Sequence, residues 1–375
     1  VLPIVAFRID PWSNESIKEY GKLFTYFGIK PFKEVLPKLE EIAEPHPLMR
    51  RGIVFGHRDF DLVIDALKKG KRVAILTGLM PSGRMHLGHK MVIDQLVYYQ
   101  RLGIDIIVAV ADIEAYAVRK KSRKEVVEIA MKEYIPNYIA LGLDPEKTRI
   151  YFQSNNEVPY YRLIQIFSRK VTLAELKAIY GEDLETSKIV SALTQAADIL
   201  HPQLPEFGGY ELVLVPVGAD QDPHLRLTRD IADRYGAELG LTRPASTYHR
   251  FMSGLQGGKM SSSNPESYIA LTDPPEEAAR KLMKALTGGR ITAEEQRRLG
   301  GEPEKCPVYE MNAYHLIQDD KELAEVYEAC RSGRLLCGKC KRETAERLKN
   351  FLREHQERLK QALEEVPKIV SPPPF

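Results

Sequence analysis

The sequence predicts an α/β protein: a doubly wound parallel sheet followed by an α-helical C-terminal domain. Three observations predict it. Short apolar runs at Val73-Ala74-Ile75-Leu76, Ile104 to Ala111, Ile150-Tyr151-Phe152 and Tyr210 to Val217 alternate with helical patterns, and strand–helix alternation of this kind builds a parallel sheet. The run from Ile104 to Ala111 is long enough for a strand buried on both faces, as parallel sheets require. Past about residue 265 the strand signals fade and only helical stretches remain.

In chain order, residues 1–70 read as an accessory segment. It carries Ile9-Asp10-Pro11-Trp12 with the only Trp, then a helical stretch from Lys33 to Ala43 cut by Pro45 and Pro47. Arg58 to Lys69 reads as a second helix with Phe60, Val63, Ile64 and Leu67 on one face. Residues 71–265 hold the sheet. Between its strands, helices follow His86 (marked by Met91, Leu96 and Val97), span Val126 to Leu141 and span Leu225 to Leu239. Residues 266–375 form the helical domain, with helices at Glu276 to Leu286, Lys321 to Cys330 and Glu343 to Glu365. Pro274-Pro275 and Gly288-Gly289 punctuate it, and Pro372-Pro373-Pro374 cannot continue a helix. Ligands of such a sheet bind at the carboxyl ends of its strands.

Composition narrows the class. The 375 residues suggest two or three domains, and 43% hydrophobic with 28% charged residues supports a packed core. No run reaches the roughly 20 apolar residues of a membrane span, and no basic-then-apolar leader opens the chain. Four cysteines are too few to frame a secreted disulfide fold, so the cytoplasm is the expected compartment. Net charge is +2, so any nucleic-acid footprint must be local. Only 7 Asn stand against 52 Asp plus Glu and 54 Lys plus Arg, which leans toward a thermophilic source.

Two motifs carry chemistry. The first, Thr77-Gly78-Leu79-Met80-Pro81-Ser82-Gly83-Arg84-Met85-His86-Leu87-Gly88-His89, joins a strand to a helix. Its glycines let backbone N–H groups approach an anion, and the helix N-terminus favours negative charge. It is neither a Walker A loop nor a GxGxxG fingerprint. His86 and His89 could donate to phosphate oxygens, or cap the helix, or form a two-His metal set that no nearby carboxylate completes. The second motif is Gly257-Gly258-Lys259-Met260-Ser261-Ser262-Ser263-Asn264. Two glycines, a lysine point charge and three hydroxyls suit phosphate binding, or an ordinary polar loop.

Together the motifs resemble the paired ATP motifs of the class I aminoacyl-tRNA synthetases. The resemblance implies a Rossmann-type catalytic domain at residues 71–265 and an anticodon-binding role for residues 266–375. It implies that His86, His89, Lys259 and Ser261 act catalytically on ATP. The implied nucleotide contacts are Thr77, Gly78, Pro81, Ser82, Met85, His86, Gly88 and His89 on the first motif, Gly218 and Asp220, and Lys259, Met260, Ser261, Ser262 and Ser263 on the second. Mg²⁺ would arrive with ATP, with no resident protein metal.

Further stretches resemble the tryptophanyl branch of that class. These are Val217-Gly218-Ala219-Asp220-Gln221-Asp222-Pro223-His224, Arg226 to Ala232, and Ser253-Gly254-Leu255-Gln256. Ile9 to Trp12, Arg50 to Phe55 with His57-Arg58-Asp59, and Thr287 to Arg290 resemble its archaeal and eukaryotic members. The resemblance implies tryptophan–tRNA ligation by a cytoplasmic homodimer, with ATP, L-tryptophan and tRNA(Trp) as partners. A tyrosyl enzyme shares the fold and both motifs. A small-molecule nucleotidyltransferase and a non-catalytic RNA-binding relative are the readings from other classes.

Carried over by position, the tryptophan site is Leu76, Glu114, Gln195, Asp198 and Gln221. Eukaryotic members line the indole with a Tyr before the Thr-Gly and a Gln on the next strand; here those positions hold Leu76 and Ala109. The indole N–H donates and accepts nothing, so the pocket must supply an acceptor. Asp198, in an Ala-Ala-Asp-Ile-Leu stretch similar to that of bacterial members, is the candidate.

tRNA phosphates call for local positive charge. Residues 331–360 carry ten Lys or Arg against four Glu, with Ala345, Leu348, Leu352 and Leu359 on one apolar face, and Arg119 to Lys124 form a second basic run. A solvated charged helix is the plainer reading of either. Cys337-Gly338-Lys339-Cys340, with Cys306 and Cys330 upstream, matches no common zinc ribbon. Reduced, half-buried thiols are expected there, or a disulfide if the source is hyperthermophilic.

Overall fold

The computed structural model describes residues 20–119, 121–260 and 264–374. The Ile9 to Trp12 motif, Lys120 and all of Ser261, Ser262 and Ser263 lie outside the described residues.

Seven strands form one sheet: β1 (Lys30–Pro31), β2 (Val54–Arg58), β3 (Val73–Leu79), β4 (Asp105–Val110), β5 (Thr148–Phe152), β6 (Leu212–Gly218) and β7 (Ala245–His249), in the order β1-β2-β7-β6-β3-β4-β5. The five strands from β7 to β5 are parallel, as the alternation predicts. Two antiparallel strands extend that sheet, β2 against β7 and β1 against β2. The accessory segment is thus part of the sheet, and Arg58 ends a strand where the sequence read the start of a helix. Val54-Phe55-Gly56-His57-Arg58 hides its strand character behind a glycine and two polar residues. Gly56 is required by packing, since a Cβ there would lie 2.5 Å from Ile29 Cγ2. β7 escaped notice for a similar reason. Ser246, Thr247 and His249 are polar yet buried.

Helices of eight or more residues are α1 (Phe60–Lys68), α2 (Leu87–Arg101), α3 (Asp112–Arg119), α4 (Val158–Ser168), α5 (Leu173–Tyr180), α6 (Thr186–Leu200), α7 (Asp222–Leu239), α8 (Pro275–Met283), α9 (Asp320–Arg331) and α10 (Cys337–Ile369). The expected helix from Lys33 to Ala43 is instead a 3₁₀ turn, Phe32–Glu34, and a five-residue helix, Leu36–Glu40. Pro37 has no N–H to continue a helix through, so it sits in the first turn of the second piece. The stretch from Val126 to Leu141 is helical but passes through a π segment, Ala130–Tyr134, just before Pro136.

Alternate residues of the central strands point to opposite cores. Ile75, Ile106, Val108 and Val110 face a core shared with α2, α8 and α10, while Ala74, Leu76, Ile107 and Ala109 face one shared with α4 to α7. The first core runs without a break from Phe32 and Val54 through Met91 and Leu96 to Leu348, Leu352 and Val370. Ala345, Leu348, Leu352 and Leu359 are all buried on one face of α10, as their spacing predicts.

Burial also sets an acid limit on stability. It pushes His46, His249 and His355 down to about 4, and His201 and His224 to about 3. Their folded pKa lies below the unfolded value of 6.5. Between those values the unfolded chain binds protons that the folded chain refuses, so stability is lost as pH falls from about 6.5 toward 4. Melting temperature measured from pH 7.5 to 4.5 should fall steadily over that window; a flat profile would contradict this account.

Candidate active site

The carboxyl ends of β3 and β6 flank the point where strand order reverses, the place where an open α/β sheet takes its ligands. From β3 the chain loops back to α2, whose N-cap is His86. His86 Nδ1 accepts the Gly88 N–H at 3.1 Å, and the His86 N–H is donated to His89 Nδ1 at 3.1 Å. A ring nitrogen that accepts carries no proton, so this pattern assigns the proton of each ring to Nε2. Burial pushes both rings' pKa down, His89 to about 4, and Lys259 adds to the effect. Both are therefore neutral N–H donors at pH 7. The structure shows the capping role, one of the alternatives the sequence leaves open, and that cap is compatible with donation from the opposite ring nitrogen. The cap fixes the tautomer that leaves Nε2–H as the donor. A Cβ at residue 88 would lie 2.9 Å from the His86 ring, so glycine is what permits the pair.

These groups line a cavity of about 320 Å³ together with Gly78, Ser82, Gly218, Asp220, Lys259 and Met260. Lys259 enters from a hairpin in which Met260 N–H donates to Met252 O and Gly254 N–H to Gly258 O, each at 2.9 Å. Gly257 and Gly258 make its turn at φ +90° and +72°, values that favour glycine. The Lys259 ammonium rests 3.2 Å from Asp220 Oδ2 and 3.9 Å from the Phe251 ring centroid. The hairpin base is held from the helical part of the chain. Buried Glu310 accepts the Ser253 N–H at 2.5 Å and the Ser253 hydroxyl at 2.7 Å. Its pKa is raised by that burial.

A second cavity, of about 210 Å³, shares Gly78, Met80, Val92, Gly218 and Gln221 with the first. All five residues of the expected amino-acid site, Leu76, Glu114, Gln195, Asp198 and Gln221, line it, and Thr77 does too. α6 presents Gln195, Asp198 and Ile199 on one face, three and four residues apart. The Gln195 amide donates to both Glu114 oxygens, at 2.8 and 2.9 Å. Glu114 lies in the first turn of α3, whose dipole favours a carboxylate there. Asp198 Oδ1 accepts from the Tyr151 and Tyr160 hydroxyls, and its Oδ2 from the Gln153 amide, all at 2.7 Å. Burial nonetheless dominates and pushes the Asp198 carboxyl up to about 7.

Not every expected residue converges. Met85 is fully buried in the core, its N–H donated to Glu133, and neither it nor Pro81 lines either cavity. Ala109 is buried in the sheet and absent from the pocket wall. Others arrive unforeseen. Gln153 and His249 stand at the carboxyl ends of β5 and β7, where the strand-end rule could have found them. Arg119, read as part of a basic run for RNA, lines the nucleotide-sized cavity instead. Its Nε is buried with no hydrogen-bond partner among the described residues. Tyr134 and Tyr138, also on that wall, gave no signal.

Much of the basic charge of α10 is already engaged. Arg347 pairs with Glu322, Lys349 and Arg353 with Glu276, Lys360 with Glu357, and Lys341 and Arg358 hold backbone carbonyls. All four cysteines are free thiols around one small cavity. Among the described residues no three of His, Cys, Asp and Glu are arranged to hold a metal, and no helix is long and apolar enough to cross a membrane.

A family model described as class I tRNA synthetases (W and Y) matches residues 68–353. A tryptophan–tRNA ligase of Hyperthermus butylicus is 62% identical, the match covering 98% of this chain and 99% of the relative. One from Methanocaldococcus jannaschii is 50% identical over 97% and 98%. Among solved structures, the tryptophanyl-tRNA synthetase of Aeropyrum pernix superposes with a TM-score of 0.92 at 60% identity, covering 98% of this chain and all of that one. The tryptophan-bound enzyme of Encephalitozoon cuniculi gives a TM-score of 0.83 at 26% identity over 95% and 98%.

Proposed function

Because the chain belongs to the class I tRNA synthetases of the tryptophan and tyrosine family, we propose that it ligates tryptophan to its tRNA in two steps at the paired cavities. The observation that carries this reading is their shared wall, Gly78, Met80, Gly218 and Gln221. That shared wall supports a reading in which an amino acid's carboxylate in one cavity meets a nucleotide's α-phosphate in the other. A carboxylate oxygen bonds to the α-phosphorus, the bond to the bridging oxygen breaks, and pyrophosphate leaves with that electron pair. The 3′-terminal ribose hydroxyl of tRNA then attacks the acyl carbon. AMP leaves and takes up the hydroxyl proton. No general base is needed in the first step, so positioning and charge stabilisation do most of the work.

His86 and His89 donate Nε2–H to phosphate oxygens as negative charge builds. Lys259 leaves Asp220 for the departing pyrophosphate, with Ser261, Ser262 and Ser263 following it in sequence. Glu114 faces the substrate ammonium, Gln221 stands between the two ligands, and Leu76 and Asp198 belong to the indole side. Mg²⁺ accompanies ATP on its phosphate oxygens and offsets their charge. Residues 266–375 read the anticodon, and the described part of the accessory segment, residues 20–70, supports the outer edge of the catalytic sheet. The chain acts as a homodimer in the cytoplasm, where tRNA is charged for translation.

ATP–pyrophosphate exchange with tryptophan and tyrosine in parallel tests the reading. Exchange with tryptophan alone is expected. Exchange with tyrosine overturns the specificity, and exchange with neither overturns the reaction.

A further inference from the structure

We propose that Gln153 is the residue that accepts the tryptophan indole N–H, and that Asp198 acts through it as a positioning residue. The inference rests on the tryptophan reading above and identifies the acceptor that Leu76 and Ala109 cannot supply.

The indole is apolar except for one donor, so its pocket needs one buried acceptor. Six polar side chains that line the amino-acid cavity carry oxygen acceptors, namely Thr77, Glu114, Gln153, Gln195, Asp198 and Gln221. Glu114 is bound by the Gln195 amide. The two oxygens of Asp198 already receive three donors. Gln153 differs from both. Its backbone N–H donates to Val110 O at 3.0 Å, its backbone carbonyl accepts the Tyr161 hydroxyl at 3.0 Å, and its amide NH₂ donates to Asp198 Oδ2 at 2.7 Å. Its amide oxygen is buried with no hydrogen-bond partner among the described residues. The side chain is only 2% exposed, and a bare buried acceptor is unfavourable until a donor meets it.

The orientation of that amide follows from its neighbour. Asp198 Oδ1 receives two hydroxyls and its Oδ2 receives the Gln153 NH₂, so the amide oxygen faces away from Asp198. Two tyrosine hydroxyls converge on the other Asp198 oxygen and hold the carboxylate in place. Tyr151, Tyr160 and Asp198 thus fix one rotamer of one amide. His201 Nε2 is also buried without a partner, but His201 does not line the cavity. Tryptophan is the ligand that such a site selects: a flat apolar body with a single N–H.

The test compares tryptophan with β-(3-benzothienyl)alanine, in which sulfur replaces the N–H, by ATP–pyrophosphate exchange. The unaltered chain should prefer tryptophan by about 10–100-fold in kcat/KM. Gln153→Met keeps the length and removes the acceptor. It should lower kcat/KM for tryptophan by a similar factor, leave the analogue unchanged, and bring the ratio near one. A ratio that persists in Gln153→Met overturns the proposal, as does its collapse in Asp198→Asn with Gln153→Met unaffected. Should Gln153→Met fail to fold, a crystal structure of the unaltered chain with tryptophan decides. The indole nitrogen within about 3.2 Å of Gln153 Oε1 supports the assignment, and its nearest acceptor at Asp198 or a water overturns it. An unaltered chain that exchanges no pyrophosphate with tryptophan brings down the functional reading and this one together. A working enzyme that fails the ratio test brings down this one alone.

Discussion

Lys259→Ala is expected to lower kcat for adenylate formation by about 10²–10³-fold and to leave the KM for tryptophan within a few-fold. In the resting site the ammonium is held by Asp220 at 3.2 Å and by the face of Phe251, so it is not waiting on the nucleotide. On the proposed mechanism its contribution comes when it transfers to the leaving pyrophosphate. An interaction made only as charge develops lowers kcat and kcat/KM together, and removal of one preorganised charge or donor costs about this much. Lys259→Arg should recover little, because a rigid planar fork does not replace a point charge on a flexible stem. Single-turnover formation of the adenylate, followed in a rapid mixer, is the measurement. A drop below about threefold would mean that the lysine stays on Asp220 throughout.

His86 holds two duties, and two substitutions separate them. Its Nδ1 caps α2, and its Nε2–H is the proposed donor to phosphate. Alanine removes both. Melting should then drop by the equivalent of about 1 kcal/mol for a lost cap, and activation by about 10²-fold or more. Asparagine keeps a capping oxygen but cannot reach as far as the imidazole. His86→Asn should therefore recover most of the melting temperature and little of the activity. Equal recovery of both would show that the histidine serves the helix and not the phosphate. The depressed pKa of the pair adds a corollary. The donors stay neutral well below pH 6, so the pH–rate profile should show no step from these rings near 6.5.

Much of the site was legible because its chemistry is local. His86, Gly88, His89 and Lys259 announce themselves by type and spacing, and the strand runs place them at sheet ends. What was hidden depends on the fold. β7 is polar and buried, so hydrophobic periodicity could not show it, and β2 is broken by Gly56. Helices α3 and α6 carry Glu114, Gln195 and Asp198, but the Gln195–Glu114 pair and the bonds of Asp198 to Tyr151, Tyr160 and Gln153 join residues 38 to 81 apart in the chain. Charge was misleading in the same way. Residues that read as a basic stripe on α10 spend much of that charge on neighbouring glutamates, and Arg119 turns inward to the nucleotide-sized cavity.

The unbroken core from Phe32 to Val370 bears on how the chain comes apart. Sequence suggests three modules, yet outer sheet, catalytic helix and terminal helix share one set of packed side chains. Loss of α10 removes Leu348, Leu352 and Val366 from that shared core, so the end that would read RNA and the end that would handle ATP should melt as one body. Differential scanning calorimetry would then record a single endotherm, with the calorimetric and van't Hoff enthalpies equal. Two resolved peaks would reveal independent lobes. An indivisible scaffold would suit a catalyst that reads one part of its RNA substrate and reacts with another, because neither end can soften without the other registering it.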